Sequence, residues 1–314
     1  MPSFSLSFFR DSLSAGVRCF LACIFLFAGA ALHAEGEDVE EDEEQLFDAR
    51  DLTAEMLASI TRVMPGRHLP VVSGERMIFS VGWGMFDVAE AVMEVEKTEH
   101  RGEPAWRVSL TTATNAFADR FYRVRNTTTS WIDEEMIQSV HYENIQREGR
   151  RDRDIVIDFD WSREEAQYID RIADESRDPI ALTPGTLDPL GITLFVRSLP
   201  LEVGSRFIIP TTNGRELFLT QVDVLEQVTR NFRFGRYDAL VLRPDIKDLG
   251  GVFRRSGDAE ILFFVSDDED RLLLRMESSV AVGRFWVELV RIERPGEDPD
   301  TGTAPERRTR RRGR

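Results

Sequence analysis

Apolar and polar side chains alternate along most of the chain from residue 73 onward, and this period of two is typical of half-buried β-strands. The same alternation recurs over residues 106–110 and over residues 155–161. Because each such strand has one dry face and one wet face, the pattern favours antiparallel sheets over buried parallel ones. One face of the first strand carries Met77, Phe79, Val81 and Trp83, and its other face carries Arg76, Ile78, Ser80 and Gly82.

Turn residues separate these segments at hairpin spacing. Asn213-Gly214 lies between the strand-like segments 206–210 and 216–220, and it predicts a two-residue type I′ turn because both central positions need positive φ. Gly235 and the acidic segment 267–270 indicate two further turns. We count about twelve to fourteen strands, too many for a flat open sheet. The sequence therefore predicts a mainly β fold: a strongly curved antiparallel sheet or β-barrel-like domain with one or two short helices.

Two segments with helical character interrupt the alternation, and a third precedes it. Residues 188–199 begin with Asp188-Pro189, an N-cap residue followed by proline at the first helical position. We expect this helix to lie across the curved sheet and to plug one opening of a barrel or half-barrel. Residues 115–122 predict a short turn, and residues 51–64 predict an amphipathic helix that ends at Pro65-Gly66.

Charge divides the chain into regions. The sequence has 56 acidic and 40 basic side chains, for a net charge of −16, which argues against nucleic-acid binding because phosphate contacts need a concentrated positive face. Residues 35–72 carry a net charge of −8 and predict an acidic disordered linker with one short helix. Residues 73–293 form the predicted β domain, itself with a net charge of −12.

The last segment, residues 294–314, predicts a disordered arginine-rich tail. A polyanion-binding role would direct it to an anionic envelope surface, and a merely solvated tail is the alternative. Its candidate contacts are Arg307, Arg308, Arg310, Arg311, Arg312 and Arg314.

The first 34 residues resemble a signal peptide. Arg10 and Arg18 precede an apolar segment over residues 19–32, and we expect cleavage after Ala34; retention as an anchor is the alternative. We therefore expect an exported protein, periplasmic or envelope-associated. Both cysteines, Cys19 and Cys23, precede the expected cut, so a cleaved chain has no disulfide-linked partner.

A set of short motifs resembles the bacterial domain-of-unknown-function family numbered 3108 over about residues 73–293. The resemblance implies an exported envelope protein with a curved β fold, and it provides no catalytic residues to transfer. The motifs include Phe79-Ser80-Val81-Gly82-Trp83-Gly84, Tyr122-Arg123-Val124, Pro184-Gly185-Thr186-Leu187-Asp188-Pro189-Leu190, Asp238-Ala239-Leu240-Val241-Leu242-Arg243-Pro244 and Gly251-Val252-Phe253-Arg254-Arg255.

Groupings typical of enzymes and metal sites do not emerge from the sequence. The Gly-x-Ser-x-Gly motif of nucleophile-elbow hydrolases is absent, and His68, His100 and His141 lack metal-ligand spacing. His141 is a candidate general base, and an ordinary strand residue is the alternative. Asp158 lies on the polar face of an alternating strand, which accounts for it without a catalytic role. We therefore predict no catalytic residue, no metal site, no cofactor and no enzymatic activity.

The leading hypothesis is a carrier that holds an apolar or lipid ligand inside the curved sheet. This hypothesis expects an enclosed apolar volume of about 300 Å³ or more. A scaffold acting through its surface and charged ends is the second hypothesis, and a hydrolase of envelope glycans or lipids is the third. The tryptophans among the candidate residues could instead pack in the core, and Asp188 could instead cap a helix. The candidate ligand-binding residues are Trp83, Trp131, Trp161, Asp188 and Phe195.

Overall fold

A computed structural model of the chain describes residue 49 and residues 52–62, 69–245, 260–280 and 283–296. These residues form fifteen strands, two short α-helices and one 3₁₀ turn, Ala118–Arg120. The helices are α1 (Ala54–Ser59) and α2 (Gly191–Arg197). The strands are β1 (Glu75–Trp83), β2 (Phe86–His100), β3 (Glu103–Thr114), β4 (Arg125–Asp133), β5 (Ser139–Glu148), β6 (Arg151–Asp160), β7 (Glu165–Asp170), β8 (Glu175–Ser176), β9 (Ile180–Ala181), β10 (Arg206–Thr212), β11 (Leu217–Phe232), β12 (Gly235–Pro244), β13 (Glu260–Ser266), β14 (Leu273–Val280) and β15 (Gly283–Glu293).

All fifteen strands belong to one antiparallel sheet. Its order is β10-β11-β12-β13-β14-β15-β1-β2-β3-β4-β5-β6-β7-β8, and β9 pairs with β7. Almost every strand therefore pairs with its neighbour along the chain, and the last strand pairs with the first, Phe79 lying opposite Leu289. This confirms the predicted fold class. The strand count slightly exceeds the expected number because β8 and β9 have only two residues each.

The sheet curves but does not close, because no ladder among the described strands joins β10 to β8. The segment around Leu187 spans part of the gap instead. The Leu187 N–H donates to the Pro210 carbonyl (3.0 Å) on one side, and the Ser139 N–H of β5 donates to the Thr186 carbonyl (3.1 Å) on the other. This segment thus satisfies part of the open edge of β10 and links that edge to β5 in the other half of the sheet.

The chain following α1 covers another part of the β10 edge. The Thr61 N–H donates to the Ile208 carbonyl (2.8 Å), and the Ile208 N–H donates to Thr61 Oγ1 (2.9 Å). Leu52 and Ile60, which flank α1, are buried. The predicted helix over 51–64 is shorter in the structure, since the chain is extended at Ile60. The predicted end at Pro65-Gly66 lies outside the described residues.

The alternating pattern correctly identified the concave face of β1 but underestimated burial on the other face. Met77, Phe79 and Val81 are buried as predicted, and Ile78, assigned to the wet face, is buried as well. A long hairpin made by β11 and β12 covers part of this outer face. Its Phe232 ring packs against Phe264 with ring centroids 5.9 Å apart. Burial on both faces of one strand is a tertiary effect that a period of two does not reveal.

The tip of this hairpin is fixed by contacts with β1, β2 and β15. The Arg233 guanidinium lies 4.5 Å from the centroid of the Trp286 ring and forms an ion pair of 2.9 Å with Asp87. The Trp286 ring in turn lies directly over Gly82, where a Cβ atom would come within 1.9 Å of the ring. Gly82 is therefore required for space rather than for backbone freedom.

Two local predictions need correction. The connection at Asn213-Gly214 has four residues, since β10 ends at Thr212 and β11 begins at Leu217, so the predicted two-residue type I′ turn is wrong. Gly214 has a φ of +82° but Asn213 is not among the residues with positive φ. The Asn213 side chain instead accepts hydrogen bonds from the Arg215 and Glu216 N–H groups (2.8 and 3.1 Å). This side-chain turn replaces the expected backbone geometry.

Helix α2 begins at Gly191, two residues after the predicted first helical position Pro189, and Asp188 caps it from outside. Asp188 is fully buried. Its Oδ1 accepts the N–H groups of Leu190 (2.8 Å) and Gly191 (2.9 Å). Its Oδ2 accepts the hydroxyl of Ser139 (2.5 Å) and also that of Ser130. The structure thus bears out the capping alternative for Asp188.

These bonds compensate for the burial of a carboxylate. Burial raises the pKa of Asp188, while the hydrogen bonds from the two serine hydroxyls and the two amides oppose that rise. Because Ser130 belongs to β4 and Ser139 to β5, the carboxylate attaches the start of α2 to the centre of one half of the sheet.

We predict that Asp188→Ala lowers the free energy of unfolding by about 3 kcal/mol, because it leaves two hydroxyls and two amides buried without an acceptor. Urea unfolding followed by circular dichroism measures the change. The matched control is Asp178→Ala, at an exposed aspartate between β8 and β9, for which we expect less than about 0.5 kcal/mol. Equal effects of the two substitutions would contradict the anchoring role of Asp188.

Candidate ligand cavity beneath α2

Helix α2 is held at both ends by buried polar contacts. Asp188 fixes its start, and Arg197 fixes its last turn through an ion pair with Glu75 at 2.8 Å. Glu75 is completely buried and Arg197 nearly so, and Arg294 also bonds to Glu75 (2.9 Å). Arg197 donates a further hydrogen bond to the Asp270 carbonyl (3.0 Å) in the β13–β14 turn. The helix is therefore attached to the sheet at both of its ends.

Between these two attachments the helix does not pack tightly against the sheet, and a cavity of about 120 Å³ remains. Ile192, Thr193 and Val196 face it from the helix and are only half-buried. From the sheet, apolar side chains of six strands line it, among them Met77, Phe79, Met93, Val222, Leu242, Phe263, Val265 and Leu273. The cavity wall is thus almost wholly apolar, as in sites that bind hydrocarbon.

Two arginines contribute to the cavity wall, but only one has a reachable head group. The guanidinium group of Arg197 is buried and paired with Glu75. Arg271 lies in the β13–β14 turn, keeps about one fifth of its side chain exposed, and pairs with Asp267 at 3.0 Å. An ion pair between partly exposed groups is easily exchanged for another anion. Arg271 could therefore meet the charged end of a molecule whose apolar part enters the cavity.

The volume of the cavity falls short of the sequence-based expectation of about 300 Å³. A space of about 120 Å³ admits a short hydrocarbon segment, whereas a complete long acyl chain needs α2 to move away from the sheet.

None of the five predicted site residues lines this cavity. Trp83 stacks on Phe285 with ring centroids 6.3 Å apart, and Trp131 is half-buried on β4. Asp188 caps α2, and Phe195, a residue of α2, is buried in the core. Trp161, just after β6, donates from Nε1 to the Ser139 carbonyl (2.7 Å), and the Ser139 hydroxyl also binds Asp188. Of the predicted set, the structure therefore links Trp161 and Asp188 through Ser139.

A second cluster of polar and aromatic groups lies where β2, β4, β5 and β6 are adjacent. His141 Nδ1 is 2.7 Å from Asp158 Oδ1, and His141 Nε2 is 3.4 Å from Glu143 Oε1. The His141 ring stacks on His100 at 4.9 Å and meets the edge of Trp131 at 5.1 Å. Both nitrogens of the His141 ring therefore face carboxylates, and two aromatic rings contact it within the protein.

This arrangement resembles a histidine oriented by a carboxylate, which is the pair used in general-base catalysis. Its chemistry is restricted here, since the second nitrogen also faces a carboxylate and Asp158 itself is paired with Arg101 at 2.7 Å. Within the described ranges, no three histidine, cysteine, aspartate or glutamate side chains converge to hold a metal ion. His68, the remaining histidine of the sequence-based search, lies outside those ranges.

Sequence reasoning missed the cavity-lining positions of α2. The apolar residues that predict the helix, Leu190, Leu194, Phe195 and Leu199, are all buried, and of these only Leu194 lines the cavity. A second apolar face, formed by Ile192 and Val196 four residues apart, is also present in the sequence. A helix with apolar residues on two faces must bury both faces against other parts of the protein. This second apolar face is the feature of the sequence that could have indicated a cavity beside the helix.

Comparison with protein families gives one match. A family model described as a protein of unknown function, DUF3108, matches residues 78–290. A comparison with curated proteins found no match. Among the helices of the described residues, none is both long and apolar enough to cross a membrane.

Several solved structures resemble this one in their strand arrangement. A β-barrel-like DUF1849 protein from Brucella abortus covers 71% of this chain and 98% of its own, with 10% identity and a TM-score of 0.46. A hypothetical protein from Chlamydia trachomatis covers 72% and 89%, with 9% identity and a TM-score of 0.31. A candidate exported protein with a YmcC-like fold from Bacteroides fragilis covers 73% and 99%, with 9% identity and a TM-score of 0.29. Similarity at this level supports no functional statement.

The histidine cluster predicts a pH dependence of stability. Burial is the main cause that lowers the pKa of His100, and the neighbouring His141 and Arg101 act in the same direction. Because the folded protein then binds fewer protons at His100 than the unfolded chain, stability falls as pH drops from about 6.5 towards the lowered pKa. We expect His100→Gln to lose less stability than the parent chain between about pH 7 and pH 5. Urea unfolding at both pH values measures this, and identical pH profiles would refute it.

Proposed function

The chain belongs to the DUF3108 family, and from this starting point we propose that it is an exported, non-enzymatic protein that binds the apolar part of an amphiphilic ligand beneath α2. The observation that carries the proposal is the apolar cavity between α2 and the concave face of the sheet. Export is supported by the signal-like first 34 residues of the sequence.

The apolar wall favours a hydrocarbon ligand. A polar molecule would lose its hydrogen bonds to water there and find few replacements, since Thr193, Thr211 and Thr220 are the main uncharged polar residues of the wall. A hydrocarbon segment gains about 25 cal/mol for each Å² of surface removed from water. The cavity therefore discriminates by polarity rather than by specific hydrogen bonds.

The ligand that fits best has one anionic end. Arg271 is the reachable cation of the wall, and its partner Asp267 lies on an exposed turn. A ligand carboxylate or phosphate would replace Asp267 while the chain beside it enters the cavity. A medium-length alkanoate, with a chain short enough for the observed volume, is the appropriate probe.

A role without bond making is consistent with how the titratable groups are used. The His141 ring has both nitrogens facing carboxylates, and Asp188 is fully committed to capping. The alternative role, a scaffold acting through charged ends, depends on residues 35–48 and 297–314, which lie outside the described residues.

We predict that decanoate binds the protein and raises its thermal unfolding midpoint in a concentration-dependent manner. Val196→Trp fills the cavity, so we expect it to weaken decanoate binding by at least about ten-fold. Isothermal titration calorimetry measures the affinity. The control is Val203→Trp, at a residue that is 56% exposed and outside the cavity, which should bind as the parent does. Unchanged binding by Val196→Trp would exclude the cavity as the site.

Arg271→Gln tests the anionic end separately. We expect it to weaken decanoate binding by up to about five-fold, because an exposed ion pair contributes up to about 1 kcal/mol, and to leave the binding of decanol unchanged. Calorimetry with both compounds provides the comparison. An equal loss for acid and alcohol would show that Arg271 shapes the cavity without recognising charge.

A further inference from the structure

One end of the sheet carries an exposed aromatic surface. Met85, at the tip of the β1–β2 hairpin, is 91% exposed, and Phe86 beside it is 59% exposed. Phe117 and Phe121, from the connection after β3, are each 50% exposed. Ring centroids are 6.2 Å apart for Phe86 and Phe117 and 5.5 Å apart for Phe117 and Phe121. We call these four side chains the aromatic rim.

Polar contacts hold the rim in its exposed position. Asn115 Nδ2 donates to the Asp87 carbonyl (2.7 Å), which ties the β1–β2 hairpin to the connection after β3. Asn115 Oδ1 accepts the N–H groups of Phe117 (3.1 Å) and Ala118 (3.0 Å). The phenylalanines thus project from an ordered turn. Exposed large apolar side chains that are contiguous indicate a contact surface.

Four exposed arginines surround the aromatic rim. Arg120 and Arg123 lie in the same connection as Phe121. The Arg123 carbonyl accepts the Gly149 N–H (2.8 Å), which places Arg150 next to it, and the Arg284 carbonyl accepts the Gly84 N–H (2.9 Å) beside Met85. In the described part of the chain, none of these four guanidinium groups has a carboxylate within ion-pair distance.

The acidic groups nearest the rim are already neutralised or buried. Asp87 pairs with Arg233 (2.9 Å), and Asp119 pairs with Arg125 (2.7 Å). Glu148 is buried and accepts a hydrogen bond from Asn126 (2.7 Å), and burial raises its pKa. A domain with a net charge of −12 therefore presents positive charge at a place where it also presents aromatic rings.

We propose that the aromatic rim inserts into the headgroup region of an anionic lipid bilayer. Arginine side chains near such a surface gain electrostatic attraction, and segments that lie in the membrane interface bury phenylalanine and other large apolar side chains at the headgroup boundary. The rim protrudes from a hairpin tip instead of forming a groove, so it suits a deformable lipid surface better than a peptide. This surface differs from the arginine-rich tail and from the cavity under α2, and it does not depend on the proposed ligand.

The test uses Phe121→Trp in the full chain as a local reporter. The vesicles contain phosphatidylcholine with about one phosphatidylglycerol in three lipids, or phosphatidylcholine alone, at about 0.1 M salt. We expect a blue shift of the added fluorescence and its quenching by brominated acyl chains on the anionic vesicles. The control reporter is Glu103→Trp, at an exposed residue where β3 begins, far from the rim. It should show neither effect.

A charge variant tests the arginines. Arg120→Glu, Arg123→Glu and Arg150→Glu, combined in the reporter chain, should weaken binding to anionic vesicles by about a hundred-fold. The matched control carries the same charge change at three exposed arginines elsewhere, Arg62→Glu, Arg163→Glu and Arg177→Glu. We expect the control to lose much less affinity.

Two results would overturn the proposal. Protein that floats with the vesicles while the tryptophan introduced by Phe121→Trp stays unquenched would mean that another segment, such as the arginine-rich tail, makes the contact. A concentration-dependent dimer in gel filtration that becomes monomeric on Phe86→Ser and Phe117→Ser would mean that a second copy covers the rim.

Discussion

The fold depends on one buried carboxylate. An antiparallel sheet that curves without closing leaves an apolar concave face and an unpaired edge, and both need cover. The connection between β9 and β10 provides it. Asp188 holds this connection in place, because it joins Ser130 and Ser139 of the sheet to the first amides of α2. A carboxylate so deeply buried is tolerable only with all of these donors present.

A second buried group fixes the other end of α2. Glu75 accepts bonds from Arg197 and Arg294, so the beginning of β1, the end of α2 and the chain after β15 meet at one completely buried side chain. A seven-residue helix pinned at both ends cannot also settle against every strand beneath it. The cavity under its middle follows from this geometry, and it explains why Ile192 and Val196 are apolar yet only half-buried.

The two surfaces proposed for binding differ in the physics they use. The cavity under α2 removes hydrocarbon from water within the domain and has one exchangeable cation, Arg271. The aromatic rim leaves its rings in solvent and surrounds them with arginines that lack ion-pair partners among the described residues. In an acidic domain, pairing of Asp87 and Asp119 with other arginines preserves that positive charge. The first surface suits a bound molecule and the second a charged interface.

The sequence alone determined the mainly antiparallel fold, the family and the concave face of β1, because alternation, turn residues and short motifs are local properties of the chain. It also indicated that Asp188 could cap a helix. It did not reveal the cavity, the burial of Ile78, the four-residue turn at Asn213 or the contact of His141 with Asp158. Only the tertiary structure decided these, since each depends on which distant segments meet.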